Sequence, residues 1–294
     1  MRIAIYGRQF GEHSFPYIQE VLQILEKYDA EVSIYEPFRN FILEQQIGEA
    51  ARTGVFSSHE DLPRDASFLL SLGGDGTLLD TVTLIRDSGL PVLGINLGRL
   101  GFLASINKID IEKAIESLFQ GEFTFDERSL LQLRTDDQLF GGLNYALNEM
   151  TIYRGEDASM IIIHSYLNGE FLNSYWADGL IVATPTGSTA YSLSCGGPII
   201  LPGSNNFLIT PICPHNLSVR PVVVNDMSEL SFEVDSRGCR FQVFMDSRKE
   251  TVDIGTRLSI RKERFSINLV RLNNESYFGT LRNKLMWGLD TRNY

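Results

Sequence analysis

Few cysteines, no long apolar run and a shortage of positive charge bound what this chain of 294 residues does. Its three cysteines, Cys195, Cys213 and Cys239, are an odd number without a Cys-x-x-Cys spacing. That fits free thiols in a reducing cytoplasm and gives no zinc signal. Cys195 reads as a small packing residue. No uninterrupted apolar run reaches the ~18 residues of a membrane span. The opening Met1-Arg2-Ile3-Ala4-Ile5-Tyr6-Gly7 reads as a strand, without the apolar h-region of a secretory signal, so a cytoplasmic location is expected. The 26 Lys and Arg against 37 Asp and Glu leave a net charge of −11. Nucleic acid as a partner is disfavoured, because it needs a basic face. A nucleotide substrate stays open, since charges beyond the Debye length of ~8 Å are largely screened. No Gly-x-Gly-x-x-Gly fingerprint follows a strand, which argues against a Rossmann dehydrogenase.

What is present is ordinary globular material, 43% hydrophobic and 21% charged, and long enough for two domains at ~100–200 residues each. Up to about residue 120, short apolar runs alternate with helical patterns. Ile3 to Tyr6, Val32 to Tyr35, Phe68 to Leu72 and Pro91 to Asn96 read as strands. Phe15, Ile18, Val21, Leu22 and Leu25 recur at helical spacing, with Ser14 as a possible N-cap and Pro16 in the first turn. Further helices are expected over Phe38–Ile47, Leu78–Arg86 and around Ile111 to Leu118. Such alternation predicts a parallel α/β sheet, whose ligands sit beyond the carboxyl ends of the strands. From Phe123 the texture becomes strands separated by Asn, Asp and Gly, with Asn168-Gly169 as a hairpin turn. The expected organisation is an α/β domain over 1–122, a β-rich domain over 123–275, and a C-terminal segment over 276–294, helical from Phe278 to Trp287, that returns to the first domain.

The stretch richest in chemistry is Leu69-Leu70-Ser71-Leu72-Gly73-Gly74-Asp75-Gly76-Thr77-Leu78-Leu79. A strand enters a turn of three glycines and an aspartate, and a helix follows. Glycines let a bulky anion approach the backbone, and amides at a helix N-terminus attract phosphate. A carboxylate among such amides repels phosphate unless it handles a proton or a cation. The combination points to phosphoryl transfer with Asp75 at the reaction centre. An ordinary Gly-rich turn with a locally bonded Asp is the plainer alternative.

A second cluster runs Asp178-Gly179-Leu180-Ile181-Val182-Ala183-Thr184-Pro185-Thr186-Gly187-Ser188-Thr189-Ala190-Tyr191-Ser192-Leu193-Ser194-Cys195-Gly196-Gly197-Pro198-Ile199. Its hydroxyls and amides suit sugar hydroxyls, phosphates and base edges, and Tyr191 offers an aromatic face. A third element is Leu147-Asn148-Glu149-Met150-Thr151-Ile152. Asn148 can read an amide or base edge in both hydrogen-bonding senses, and Glu149 can accept from a ribose diol. His215, beside Pro214, reads as structural.

In this order the three motifs resemble those of the NAD kinase family. Asn96-Leu97-Gly98-Arg99-Leu100-Gly101-Phe102-Leu103, Thr210-Pro211-Ile212-Cys213-Pro214-His215-Asn216-Leu217 and Met245-Asp246-Ser247 agree with it. The Gly-Gly-Asp-Gly-Thr turn alone is shared with lipid kinases; the Thr-Pro-Thr-Gly-Ser-Thr-Ala-Tyr run is narrower. The resemblance implies an ATP-dependent kinase that phosphorylates the 2′-hydroxyl of the adenosine ribose of NAD, with Asp75 as proton acceptor. It implies that Gly73, Gly74 and Thr77 face the phosphate donor, and that Asp75, Gly76, Asn148, Glu149, Asp178, Thr189, Ala190, Tyr191, Ser192, Leu193 and Ser194 hold the dinucleotide. Ser159, Trp176 and Arg248 fall at positions that vary among relatives. At Trp176 two readings stand, an indole stacked on the nicotinamide or one packed in the β-rich core. The resemblance further implies a divalent metal, Mg²⁺ by preference, and a homodimer or homotetramer. Two competing functions are a lipid or other small-molecule kinase sharing the turn, and a non-catalytic dinucleotide sensor. A coupled assay for NADP separates them.

Overall fold

Alternating apolar strands and amphipathic helices build the first part of the chain. In order these are β1 (Arg2–Gly7), α1 (Phe15–Lys27), β2 (Glu31–Tyr35), α2 (Glu36–Glu44), β3 (Gly54–Phe56), β4 (Phe68–Leu72), α3 (Asp75–Ile85), β5 (Val92–Asn96), β6 (Ile106–Asn107) and α4 (Ile111–Gln120). The computed structural model describes residues 1–48, 50, 53–98, 101–156, 160–273 and 276–287. By its contacts the chain divides into two units, Met1–Glu127 with Ile267–Tyr294, and Arg128–Ser266.

In the first unit the strand order is β5-β4-β1-β2-β3 and every pairing is parallel. β4 and β5 are buried along their whole length, as befits parallel strands covered on both faces. Ile3, Ile5, Leu70, Leu93 and Ile95 of the sheet share one core with Ile18, Val21 and Leu25 of α1 and Ile111, Ala114 and Ile115 of α4. The carboxyl ends of β1 and β4 lie side by side, Gly7 opposite Leu72.

The second unit is β-rich. Its strands are β7 (Phe123–Arg134, entering from the first unit), β8 (Tyr145–Ala146), β9 (Glu149–Arg154), β10 (Ile161–Leu167), β11 (Glu170–Ala177), β12 (Gly179–Ala183), β13 (Asn206–Ile212), β14 (Val222–Asn225), β15 (Leu230–Ser236), β16 (Arg240–Met245), β17 (Arg248–Asp253) and β18 (Leu258–Leu272, leading back). One antiparallel sheet has the order β14-β13-β12-β9-β16-β17. β11, β10, β15 and the start of β18 pair antiparallel in that order. Met150, Ile152, Leu180, Val182, Phe232, Phe241 and Val243 fill the core. The Asn168-Gly169 hairpin forms as expected, both residues with positive φ.

Several boundaries differ from the periodicity. α2 starts at Glu36 because Pro37 in the first turn already holds helical φ, and it stops before Gln46, which is left-handed. α3 starts at Asp75, three polar or small residues ahead of its first apolar one. Ser14 makes no cap bond with its side chain. The hydroxyl-rich stretch yields a single turn, α5 (Tyr191–Ser194). The last helix, α6 (Tyr277–Leu285), is capped by Ser276, whose Oγ accepts from the Gly279 N–H at 3.3 Å. Removing that acceptor in Ser276→Ala should cost roughly 0.5–2 kcal/mol of helix stability. Hydrogen exchange should show it as faster exchange confined to α6; unchanged protection there would remove Ser276 as a cap.

Candidate active site

β4 delivers the chain into Gly73-Gly74-Asp75. Gly73 has φ +146°, and a Cβ there would stand 2.3 Å from Thr77 Oγ1. Its N–H donates to the Ile95 carbonyl at 2.9 Å, which ties the turn to β5. Gly74 is the N-cap of α3, and its carbonyl accepts from Thr77 and Leu78. The first turn of a helix leaves amides without intrahelical partners, and they attract anions. A Cβ on Gly74 or Gly76 would meet nothing within 4 Å, so a phosphate has room to reach the backbone.

The Asp75 carboxylate is gripped from the opposite direction. Oδ2 accepts from the Phe102 N–H at 2.8 Å, and Oδ1 accepts from the Leu103 and Ala104 N–H groups, both at 3.0 Å. Lys284 of α6 brings its ammonium to 3.6 Å from Oδ2 and 4.6 Å from the centre of the Phe102 ring. A Cβ on Gly101 would lie 1.8 Å from Asp75 Oδ1, so only glycine lets the segment close on the carboxylate. At the end of β1, Arg8 pairs with Asp80 of α3 at 2.5 Å, and the Tyr6 hydroxyl donates to Asp80 at 2.9 Å. Burial and Asp80 push the Tyr6 phenol above its usual range. Arg99 and Leu100 lie outside the described residues.

In the second unit Asn148 and Glu149 open β9, and the turn joining β16 to β17 organises them. Asp246, in the left-handed region at φ 52°, accepts from three consecutive amides: Leu147 at 2.9 Å, Asn148 at 2.8 Å and Glu149 at 3.2 Å. Its own N–H donates to the Glu149 carbonyl at 3.0 Å. Two residues on, Arg248 donates to the carbonyls of Leu143 and Tyr145 and lies 5.9 Å from the Phe140 ring and 5.8 Å from the Tyr145 ring. Glu149 Oε2 is buried without a hydrogen-bond partner. Burial, and secondarily the Asp246 charge, pushes the Glu149 carboxyl up to about 8. Burial raises Asp246 as well; three amides and Arg248 act against it without reversing the direction.

The hydroxyl-rich loop is braced inwardly. Thr184 donates to the Leu147 carbonyl at 2.6 Å, and Ser188 to Pro185 at 2.7 Å. Thr189 donates to Thr186 at 3.2 Å, and Ser192 shares a 2.7 Å bond with Thr210. Arg128, only 3% exposed, donates to Thr186 at 3.1 Å. A Cβ on Gly187 would lie 2.1 Å from the Asn148 carbonyl oxygen. Tyr191 and Ser194 remain exposed, Ala190, Leu193 and Thr189 are half-buried, and Ser192 is buried. Asp178 pairs with Arg154 at 3.2 Å. Trp176 is 50% exposed, so its indole is not a core residue; its carbonyl accepts from the His215 N–H at 2.7 Å. Ser159 lies outside the described residues. Among those described, no three His, Cys, Asp or Glu side chains converge as metal ligands, and Asp75 is surrounded by N–H donors. The residues present do not fit a resident metal cage.

Residues 43–123 match the family ATP-NAD kinase N-terminal domain, and residues 147–272 match the ATP-NAD kinase C-terminal domain. An NAD kinase of Cytophaga hutchinsonii is 47% identical over 293 residues, 100% of both chains. One of Bacteroides fragilis is 42% identical over 292 residues, 99% of this chain and 100% of the relative. This chain belongs to the NAD kinase family. Two solved structures share the fold. The yeast NADH kinase complexed with NADH has a TM-score of 0.84 at 23% identity, covering 99% of this chain and 88% of its own. The NAD kinase from Archaeoglobus fulgidus in complex with ATP has a TM-score of 0.73 at 24% identity, covering 97% and 99%.

Around the motif residues of this NAD kinase family member stand groups that motif reading missed: the amides of Phe102 to Ala104, Lys284, Arg8, Arg128 and Asp246. Asp246 had a sequence signal, the Met245-Asp246-Ser247 stretch, and so did Phe102 and Leu103 at the end of the Asn96–Leu103 stretch.

Two outcomes follow from this geometry. Gly101→Ala drives a methyl into the Asp75 carboxylate, and overpacking of this kind costs on the order of 1–3 kcal/mol. Urea unfolding should show that loss, and an unchanged midpoint would mean the segment moves aside freely. For Glu149 the folded carboxyl holds its proton to about pH 8, against an ordinary value of 4.5. The folded state therefore binds more protons in that window, and its stability contribution is full below it and is lost as pH rises through it. Wild type should lose stability relative to Glu149→Gln between pH 4.5 and about 8. A difference that stays flat would show that Glu149 titrates normally.

Proposed function

We propose that this chain transfers the γ-phosphoryl group of ATP to the 2′-hydroxyl of the adenosine ribose of NAD, giving NADP. The observation that carries the reading is the Asp75 carboxylate, held by three amides and Lys284 at the first turn of α3, where Gly74 and Gly76 leave the backbone open. A hydroxyl nucleophile needs a proton acceptor, and a triphosphate needs amides and cations. Family membership supports NAD as acceptor and ATP as donor.

Phosphoryl transfer asks a protein for positioning and charge neutralisation more than for covalent chemistry. A carboxylate has about four lone-pair positions, and three amides fill three of them at Asp75. Lys284, at 3.6 Å, holds the longest of the four contacts. In our reading the 2′-hydroxyl takes its place and gives its proton to Asp75, while the displaced ammonium meets phosphate charge. Gly73, Gly74 and Thr77 face the donor. Gly76, Asn148, Glu149, Asp178, Trp176 and the Thr189–Ser194 segment hold the dinucleotide, with the exposed Tyr191 and Trp176 offering aromatic faces. Arg248 acts by fixing the carbonyls ahead of Asn148. The dinucleotide-holding region is 123–275, and the segments 1–122 and 276–294 carry the reacting turn and Lys284. A divalent cation, Mg²⁺ by preference, comes with the ATP phosphates, since Mg²⁺ keeps its waters and needs few protein ligands. Free Cys195, Cys213 and Cys239 fit a cytoplasmic protein, and the family resemblance supports a homodimer or homotetramer. No helix among the described residues is long and apolar enough to cross a membrane.

The test is a coupled assay in which ATP and NAD are supplied and NADP is read by a dehydrogenase specific for it. Asp75→Asn should lower kcat by ~10²–10⁴-fold, the usual yield of general base catalysis, with the KM for NAD within severalfold of wild type. Wild-type-like turnover in that variant would take the base role from Asp75.

A further inference from the structure

Glu149 sits in a combination of features that dinucleotide holding alone does not require. Its Oε2 is buried and has no hydrogen-bond partner. Directly against its backbone lies a second carboxylate, Asp246, linked to it in both directions: the Glu149 N–H donates to Asp246 Oδ1, and the Asp246 N–H donates to the Glu149 carbonyl. Two neighbouring acids, both half-buried and with the charge of Asp246 acting on Glu149, do not both ionise readily. Asp246 has the donors, three amides at 2.8–3.2 Å, whereas the orphan oxygen of Glu149 has none. The proton of the pair therefore rests on Glu149.

The remaining neighbours do not undo this. Arg248, the cation of the same hairpin, acts on Asp246 and gives its N–H groups to the Leu143 and Tyr145 carbonyls. Cys195, following α5, senses the Glu149 charge and is kept as a thiol by burial and by Cys213. Tyr191, next to Cys195, is kept as a phenol by burial. None supplies a positive charge to Glu149.

We propose that Asp246 is a positioning residue for the dinucleotide: it fixes the amides of Leu147, Asn148 and Glu149 and, as a second carboxylate facing Glu149, makes NAD binding release a proton. This rests on the reading that Glu149 meets NAD. Ribose hydroxyls donate to a carboxylate far better than to a neutral acid. On binding, the Glu149 O–H bond breaks, its proton leaves to solvent, and the freed carboxylate accepts the hydroxyls.

The experiment is calorimetric titration of the full chain with NAD in two buffers of different ionisation enthalpy, which counts protons exchanged. Wild type near pH 7 should release close to one proton per NAD, and almost none above pH 9. Its NAD affinity should fall roughly tenfold per pH unit between pH 7 and pH 6. Glu149→Gln should release almost none at any pH. Asp246→Asn keeps an amide acceptor and a residue suited to the left-handed turn but removes the facing charge, so proton release should move to lower pH. A role limited to bracing the fold would leave the proton count unchanged in Asp246→Asn, and that result overturns the proposal. So does wild type that binds NAD without exchanging a proton yet forms NADP in the coupled assay, which leaves the kinase reading intact. Wild type that neither binds NAD nor forms NADP overturns both. If Asp246→Asn does not fold, Glu149→Gln decides: release that persists without the Glu149 carboxyl overturns the proposal.

Discussion

A carboxylate clamped by three successive backbone amides is the interaction on which the motif residues of each unit depend. It occurs twice. Asp75 takes the N–H groups of Phe102, Leu103 and Ala104, and Asp246 takes those of Leu147, Asn148 and Glu149. Each clamp joins segments far apart in sequence, and the amides of Phe102 to Ala104, Leu147 and Asn148 lie outside the strands and helices. Hydrogen bonds to an ionised acceptor are about twice as strong as neutral ones. An irregular segment is thereby held in one conformation without being part of a strand or helix. Phosphoryl transfer, which depends on placing groups correctly, needs such rigidity in loops.

The close packing around the clamps has a steric condition, and glycine meets it. Gly101 lets the backbone reach Asp75, and Gly187 lets the Thr184–Ser188 turn lie on the Asn148 carbonyl. Hydroxyls do comparable work. Thr184, Ser188 and Ser192 are fully buried and bond to backbone or to Thr210. In this loop the Ser and Thr side chains mainly brace the backbone, and Tyr191 and Ser194 stay at the exposed edge.

The parts legible in the sequence are those carried by local pattern. Short apolar runs located β1, β4 and β5, helical spacing located α1 and α4, and the glycine-aspartate turn located Asp75. Asn148 and Glu149 were legible only through the order of motifs, since the dipeptide by itself signals little. Lys284 was not legible, because nothing in Arg282-Asn283-Lys284-Leu285 marks a lysine whose partner is some two hundred residues earlier. Arg8 and Arg128 were silent for the same reason: their partners Asp80 and Thr186 are met only after folding. The start of α3 was misplaced because periodicity begins at the first apolar residue, whereas the helix begins where the backbone first turns, at Asp75.

The two clamps differ in their company, and that difference assigns them different chemistry. Beside Asp75 stands an ammonium, Lys284, at 3.6 Å, a longer contact than the amide bonds that keep the carboxylate in place. Such a group can take a proton from a hydroxyl without losing its position. Beside Asp246 stands another acid, Glu149, and the nearby cation Arg248 is fixed to carbonyls. Here the clamped carboxylate stands against an acid rather than an ammonium, and in our proposal it acts through the charge that it presents to this neighbour. The same three-amide device thus holds one aspartate beside an ammonium and the other beside an acid. A formal net charge of −11 says nothing about either; the chemistry is set within a few ångströms, by which cation faces the carboxylate and which is bonded to carbonyls.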